Sequence, residues 1–288
     1  MGNRLGYNLI GAGTNLSGRL GVWDGGRIRN THRELVGRVV QQDNPFTLDD
    51  YATHVSGTLI ASGVLPAARG MAFGAQLKAW DYDNDTPEIA AAASGLLVSN
   101  HSYGSLCGWR STDRGWEWWG EPSLNETYDW KFGYYTTSAR EWDQIAFQAP
   151  YYLMVKSAGN NCNANGPPAG ASHFIANSNV TSRLARSRND GYDIVTTNRT
   201  AKNILTIGAA NPMAYGYNNP SDVVVASFSS WGPTDGGRIK PDLVGIGVNV
   251  LSSGADNDQA YLASSGTSMS GPNNAQGTGF THGPRGRP

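Results

Sequence analysis

A hydroxyl at the start of a helix, an acid at the end of a strand and an amide at the end of another strand are parts from which acyl transfer can be built. Near the C-terminus this chain reads Gly266-Thr267-Ser268-Met269-Ser270-Gly271-Pro272. Gly266 allows a tight turn, and Pro272 suits the first turn of a helix, where its missing N–H is not needed. Ser268 would then face the free N–H groups and positive end of that helix, which favour a developing oxyanion. The same residues also compose an ordinary Ser/Gly loop. Leu20-Gly21-Val22-Trp23-Asp24-Gly25-Gly26 reads as a short buried strand ending on an acid and a glycine turn, where α/β sheets place chemistry. Asp24 is alternatively a plain turn residue. Val155-Lys156-Ser157-Ala158-Gly159-Asn160-Asn161 reads as a strand entering a loop, with Asn160 either forming the turn or donating to an oxyanion.

Between acid and amide, Thr53-His54-Val55-Ser56-Gly57-Thr58-Leu59-Ile60-Ala61 predicts an apolar helix with small residues for close packing. Acid, helix, Asn loop and Ser turn, in that order, resemble the subtilisin-like serine proteases. Phe228-Ser229-Ser230-Trp231-Gly232-Pro233 and Arg238-Ile239-Lys240-Pro241-Asp242-Leu243 are similar to that family's segment upstream of the serine. Asn100-His101-Ser102-Tyr103-Gly104 is similar to the strand that pairs with substrate there. The resemblance extends from about Gly21 to Pro272. It implies Ser268 as nucleophile, Asp24 as the acid that orients the base, and Asn160 with the Ser268 N–H as oxyanion donors. Ser102 and Gly104 would hold an extended polypeptide by strand addition. The implied chemistry is serine attack, an acyl-enzyme and hydrolysis, with no organic cofactor. Structural calcium is common in the family and has no assignable site in this sequence.

One segment departs from that pattern. The family's helix opens like His-Gly-Thr-His-Val, and its first histidine is the general base; here Tyr51-Ala52-Thr53-His54-Val55 stands in its place. A phenol has a reference pKa of about 10 and almost no basic form at neutral pH, and a neighbouring Asp24 carboxylate would raise it further. His54 lies three residues on, about 4.5 Å along a helix axis and turned by roughly 60°. That is too far for a relay needing contacts of about 2.6–3.2 Å. In subtilisin itself, loss of the base costs about 10⁶ in turnover. The expectation is an impaired serine endopeptidase, with a non-catalytic peptide-binding pseudoprotease as the alternative.

At 288 residues with a net charge of −1, the chain suits one large α/β domain and gives no reason to expect nucleic acid or an anionic membrane as partner. A monomer acting on polypeptides is expected. Charged residues are only 16% and glycines number 37, a composition of many turns and short elements that suits a secreted or extracellular enzyme, as the family also implies. No apolar run is long enough to span a membrane. Met1-Gly2-Asn3-Arg4-Leu5-Gly6 has no apolar h-region, which reads as a signal and propeptide already removed or as a fragment. Cys107 and Cys162 allow one disulfide or two free thiols. No histidine pair has zinc-ligand spacing, so no metal residue is assigned.

The predicted organisation is a Gly-rich arm over 1–19, a domain over 20–277 and a disordered tail over 278–288. Strands expected at Leu77–Asp81 and Val98–Tyr103 flank a helix opened by Pro87, so the fold is α/β, with a mainly parallel central sheet and helices on both faces. Asp81, Asp83, Asn84 and Asp85 form either a solvated turn or a calcium loop. Six of the nine tryptophans (Trp109, Trp116, Trp118, Trp119, Trp130 and Trp142) fall within 108–152. They suggest an insertion packed by its own aromatics, a wall beside the cleft or a sugar-stacking platform. After Ser268, Asn273-Asn274-Ala275-Gln276-Gly277 lacks the apolar face of a buried helix, so the C-terminal part reads as truncated, with Ser268 poorly supported.

Overall fold

The computed structural model describes residues 13–189, 192–214 and 216–279, with side chains to residue 275 in the last helix. Its first half runs β1 (Leu20–Asp24), β2 (Val39–Gln41), α1 (Asp50–Ile60), β3 (Leu77–Asp81), α2 (Asp85–Ala92) and β4 (Val98–His101). A hairpin follows, β5 (Trp109–Thr112) and β6 (Gly115–Trp118), then α3 (Thr137–Gln148) and β7 (Leu153–Ser157). The chain continues through β8 (His173–Ile175), β9 (Thr181–Ser182), β10 (Leu205–Ala210) and β11 (Leu243–Ile246). It ends with β12 (Val250–Ser253), β13 (Tyr261–Ser264) and α4 (Thr267–Gly279).

Seven strands form one sheet in the order β11-β10-β7-β4-β1-β3-β2, every neighbouring pair parallel. Parallel neighbours need crossovers, which here bring helices onto both faces. The central strands show how. In β1 the side chains alternate: Leu20 and Val22 pack with α1 and with Met269 of α4, while Trp23 packs with Ile89, Trp142 and Ile145 of α2 and α3. In β7, Val155 joins the first cluster and Met154 the second. Asp24 ends β1 and Asn160 follows β7, so both lie at the sheet's carboxyl edge.

Several expectations need correction. α2 begins at Asp85, with Asn84 before it, so Pro87 sits in the first turn without opening the helix. α4 does form behind Ser268, starting at Thr267, which puts Pro272 inside the helix rather than in its first turn. Its burial relies on small and amide side chains. Met269, Ser270 and Ala275 are fully buried, and Asn273 Nδ2 donates to Ile246 O at 2.8 Å. Asn274 lies so close to β11 that a Cβ on Gly245 would stand 2.0 Å from its Nδ2. An apolar face was therefore the wrong criterion. Thr278 and Gly279, expected in a tail, belong to α4, and residues 280–288 lie outside the described residues. Within the supposed arm, Leu16 is fully buried in the core; residues 1–12 lie outside the described residues.

Three of the six tryptophans within 108–152 are packed inward, while Trp116, Trp119 and Trp130 are half-buried. Trp109, Trp118 and Trp142 are 2%, 0% and 0% exposed, and Trp109 makes an edge contact with Trp118 at 5.0 Å between ring centroids. A sugar platform needs exposed ring faces, so Trp118 cannot serve in one. Cys107 and Cys162 are both free thiols. In the Asp81–Asp85 turn, Asp81 Oδ1 accepts the Asp83 N–H, and Asp85 accepts the Tyr103 hydroxyl at 2.7 Å. Among the described residues no group of three acidic, His or Cys side chains is placed to hold a metal ion. No helix among them is long and apolar enough to cross a membrane.

Candidate active site

Asp24, Tyr51, Ser102 and Gly104 line a cleft of about 640 Å³. Tyr51, Ser102 and Gly104 also line an adjoining pocket of about 380 Å³, together with Asn160 and Ser268. The six residues singled out in the sequence thus meet along one continuous depression, with the 102–105 segment as its shared wall.

Ser268 lies in the first turn of α4, where backbone N–H groups have no partner four residues back. Its hydroxyl donates to the carbonyl of Ser102 at 2.9 Å. In return, the Ser102 hydroxyl donates to the carbonyl of Ser268 at 2.9 Å. Pro272 makes that second bond possible: four residues on, it has no N–H to offer the Ser268 carbonyl, which is left for Ser102. The hydrogen bond that the Ser268 hydroxyl donates therefore goes to a carbonyl.

Asn160 is exposed, and its orientation is set by α4. Its Oδ1 accepts both the Thr267 N–H and the Thr267 hydroxyl, each at 2.9 Å, while Thr267 Oγ1 accepts the Gly159 N–H at 3.0 Å. With the oxygen held twice, Nδ2 is the end left to donate. Thr267, which the sequence reading passed over, positions this amide.

Asp24 is 2% exposed; its Oδ1 accepts the Gly25 N–H at 2.8 Å, and its Oδ2 has no hydrogen-bond partner. Burial pushes its pKa up to about 7, against the Gly25 hydrogen bond and with a further rise from Asp49. An orphaned, buried carboxylate oxygen is a costly feature in a folded chain, and it points to a donor the site was shaped to receive.

Tyr51 stands in the first turn of α1, which Asp49 caps by accepting the Ala52 N–H at 2.5 Å. Burial pushes the phenol up to about 12, contact with the Ser268 hydroxyl draws it back, and Asp24 raises it again. Tyr51 lines the larger cleft together with Asp24 and the adjoining pocket together with Ser268. His54 faces elsewhere, its Nε2 at 2.9 Å from the Val250 carbonyl in β12.

Ser102 is buried, and Gly104 is required by its neighbour: a Cβ there would lie 2.0 Å from Arg199 Nη2. Arg199 and Lys156, both buried, support this wall from beneath. Arg199 donates to the Ser157 carbonyl at 2.8 Å and to Tyr103 O at 3.3 Å, and the Lys156 ammonium also donates to Tyr103 O. The sequence did carry a signal for Lys156, a charge inside an otherwise buried strand; Arg199 had none. A hydrogen-bonded line also reaches the cleft from the core: Ser99 Oγ to His101 Nε2 (2.6 Å), His101 Nδ1 to the Tyr103 hydroxyl (3.0 Å), and that hydroxyl to Asp85. His101 is thereby a packed, neutral histidine, its pKa held well below the ordinary value by burial.

A parallel seven-stranded α/β sheet with acid, amide and helix-borne serine at its carboxyl edge defines the class, and the family model "Subtilase family" matches residues 29–281. This chain belongs to the subtilase family. A segment of 52 residues, 18% of the chain, is 52% identical to the C5a peptidase of Streptococcus pyogenes, of which it spans 4%. Over 84% of its length the chain is 26% identical to the serine protease/ABC transporter B family protein tagD of Dictyostelium discoideum, spanning 16% of that protein. The chain therefore covers only a small part of these relatives. Among solved structures, a cold adapted subtilisin-like serine proteinase superposes with a TM-score of 0.53 at 18% identity, over 93% of this chain and 76% of the other, which supports the fold.

Proposed function

We propose that this chain is a subtilisin-type serine endopeptidase domain whose turnover is curtailed by Tyr51. The observation that carries this reading is the orphaned Oδ2 of Asp24, buried beside Tyr51 in the cleft that also reaches Ser268. In a triad that oxygen accepts the N–H of an imidazole. A phenol at residue 51 offers one oxygen in place of two ring nitrogens, and in its neutral form that oxygen is far too weak a base to take the serine proton. With a pKa near 12, about one molecule in 10⁵ carries phenolate at pH 7.

In the proposed reaction an extended polypeptide lies along Ser102 to Gly104. Ser268 Oγ leaves its bond to the Ser102 carbonyl and attacks the scissile carbonyl. Asn160 Nδ2 and the Ser268 N–H receive the oxyanion. The serine proton, taken up by cleft water in the absence of a competent base, passes to the scissile nitrogen as the C–N bond breaks and the amine departs. Water then hydrolyses the acyl-enzyme and restores the Ser268 hydroxyl. The chemistry needs no organic cofactor or metal. We further propose secretion and a monomeric state, with no nucleic acid or membrane partner; the net charge of −1 supports the absence of a polyanion.

A second reading, a peptide-binding pseudoprotease, is favoured by the bond from the Ser268 hydroxyl to the Ser102 carbonyl, which leaves the nucleophile unactivated. An alkyl fluorophosphonate separates the two. Covalent labelling at Ser268, absent in Ser268→Ala, supports the peptidase. Peptide binding without labelling transfers the conclusion to the pseudoprotease.

A further inference from the structure

The pocket beside Ser268 holds a buried cation with no carboxylate to face it. Arg199 and Arg110 are among its lining residues, and no Asp or Glu is. Arg199 comes from the short turn Thr197–Thr200 ahead of β10 and is 6% exposed, its guanidinium lying against Gly104 of the wall. Its Nε donates to the Ser157 carbonyl at 2.8 Å, Nη1 to the Thr196 hydroxyl at 3.0 Å and Nη2 to the Tyr103 carbonyl at 3.3 Å. All three acceptors are neutral, and two of the five guanidinium N–H groups are left to donate.

The groups that act on this charge do not balance it. After burial, the influences on Arg199 are the Cys107 thiol and the Tyr51 phenol. Burial pushes those two up to about 11 and about 12, so both are protonated and uncharged at neutral pH. Lys156, beneath the same wall, is a second basic group and offers no compensation. Holding the Tyr103 carbonyl needs only a neutral donor such as an amide, whereas a desolvated guanidinium without a counter-ion is costly to keep. The charge gains its partner when an anion enters the pocket.

Arg110 carries the same sign to the surface. It is exposed on β5; Glu117 lies directly opposite in the hairpin but pairs with Arg114 at 2.7 Å. The volume of about 380 Å³ and the position beside Ser268 and Asn160 suit one side chain of a polypeptide in the cleft.

Resting on the peptide-cleft reading above, we propose that this pocket selects a Glu or Asp side chain of the bound polypeptide. Arg199 meets the carboxylate within the pocket, and the more mobile Arg110 draws it in from solvent.

The test uses the full chain carrying Ser268→Ala, so that bound peptide stays intact. Fluorescein-labelled Gly/Ala peptides with a single central Glu, Gln or Lys are titrated by fluorescence anisotropy. The Glu peptide should bind about tenfold more tightly than its neutral isostere Gln, and Lys more weakly than either. Arg199→Gln, which keeps a neutral donor for the wall, should remove most of the Glu advantage, while Arg199→Lys should keep much of it. Because a change at a buried position can loosen the wall, the exposed Arg110→Gln is read beside them. It should cut the Glu advantage about threefold at low salt and little at high salt, where a surface charge is already screened. Affinity for the Gln peptide checks that each variant keeps its cleft. Equal binding of Glu and Gln by the parent overturns the pocket's selectivity and leaves the peptide cleft standing. A Glu advantage undiminished in every variant that still binds Gln overturns it as well. Binding of no peptide removes both readings.

Discussion

Replacing Tyr51 with histidine tests the reading of the site most directly. The parent has a buried Asp24 with one oxygen unpaired and a pKa near 7, and a phenol near 12 at the position proposed to accept the serine proton. An imidazole at residue 51 would donate one N–H to Asp24 Oδ2 and offer its other nitrogen to Ser268. At pH 7 about one parent molecule in 10⁵ holds a basic residue 51, whereas about three-quarters of an imidazole population does. Phenolate is the stronger base when present, so the gain in rate is smaller than the gain in population. General-base catalysis is worth about 10²–10⁴, and the whole contribution of the base in subtilisin is about 10⁶. We expect kcat/KM on a fluorescence-quenched peptide to rise by about 10⁴ in Tyr51→His. A rising limb near pH 6.5–7, absent in the parent, should report the new imidazole. A variant that stays folded and binds peptide as the parent does, yet gains neither rate nor that limb, would refute a relay through residues 24, 51 and 268.

Three further outcomes follow from the same geometry. Because burial raises the Asp24 pKa from 3.8 to about 7, the folded state holds a proton that the unfolded chain releases earlier. Stability should therefore fall as pH rises from about 4 to about 7, by on the order of 4 kcal/mol, and then level off; urea unfolding of Asp24→Asn should lack that slope. Asn160→Ala, made in the Tyr51→His background, should lower acylation by about 10²–10³, read as the rate of fluorophosphonate labelling, with peptide affinity little changed. Gly104→Ala should destabilise the fold by about 1–3 kcal/mol in thermal or urea unfolding, since its Cβ falls 2.0 Å from Arg199 Nη2. Unchanged stability there would mean the wall yields more readily than the packing implies.

Much of this protein could be read before its coordinates. The buried pattern of Leu20–Asp24, the helix over Thr53–Ala61 and the strand at Leu77–Asp81 are local signals, and each element formed within a few residues of expectation. The turn chemistry around Ser268 likewise placed a hydroxyl at a helix start, and family motifs named Asp24, Asn160, Ser102 and Gly104 as its companions.

Folding decided how those groups are held. Ser268 meets the Ser102 carbonyl across 166 residues of chain, and Thr267 locks Asn160 across 107. The periodicity of a segment specifies which face it buries but not which distant donor it meets. The same limit misled the reading of α4, where Asn273 and Asn274 bury themselves through hydrogen bonds, two of them to carbonyls of their own helix. Arg199 beneath Gly104 and the unpaired oxygen of Asp24 had no sequence signature either, because desolvation and steric contact belong to the assembled sheet edge. Composition and pattern determined which chemical groups this chain brings to its cleft; long-range packing alone decided their partners, their protonation and the charge that faces a ligand.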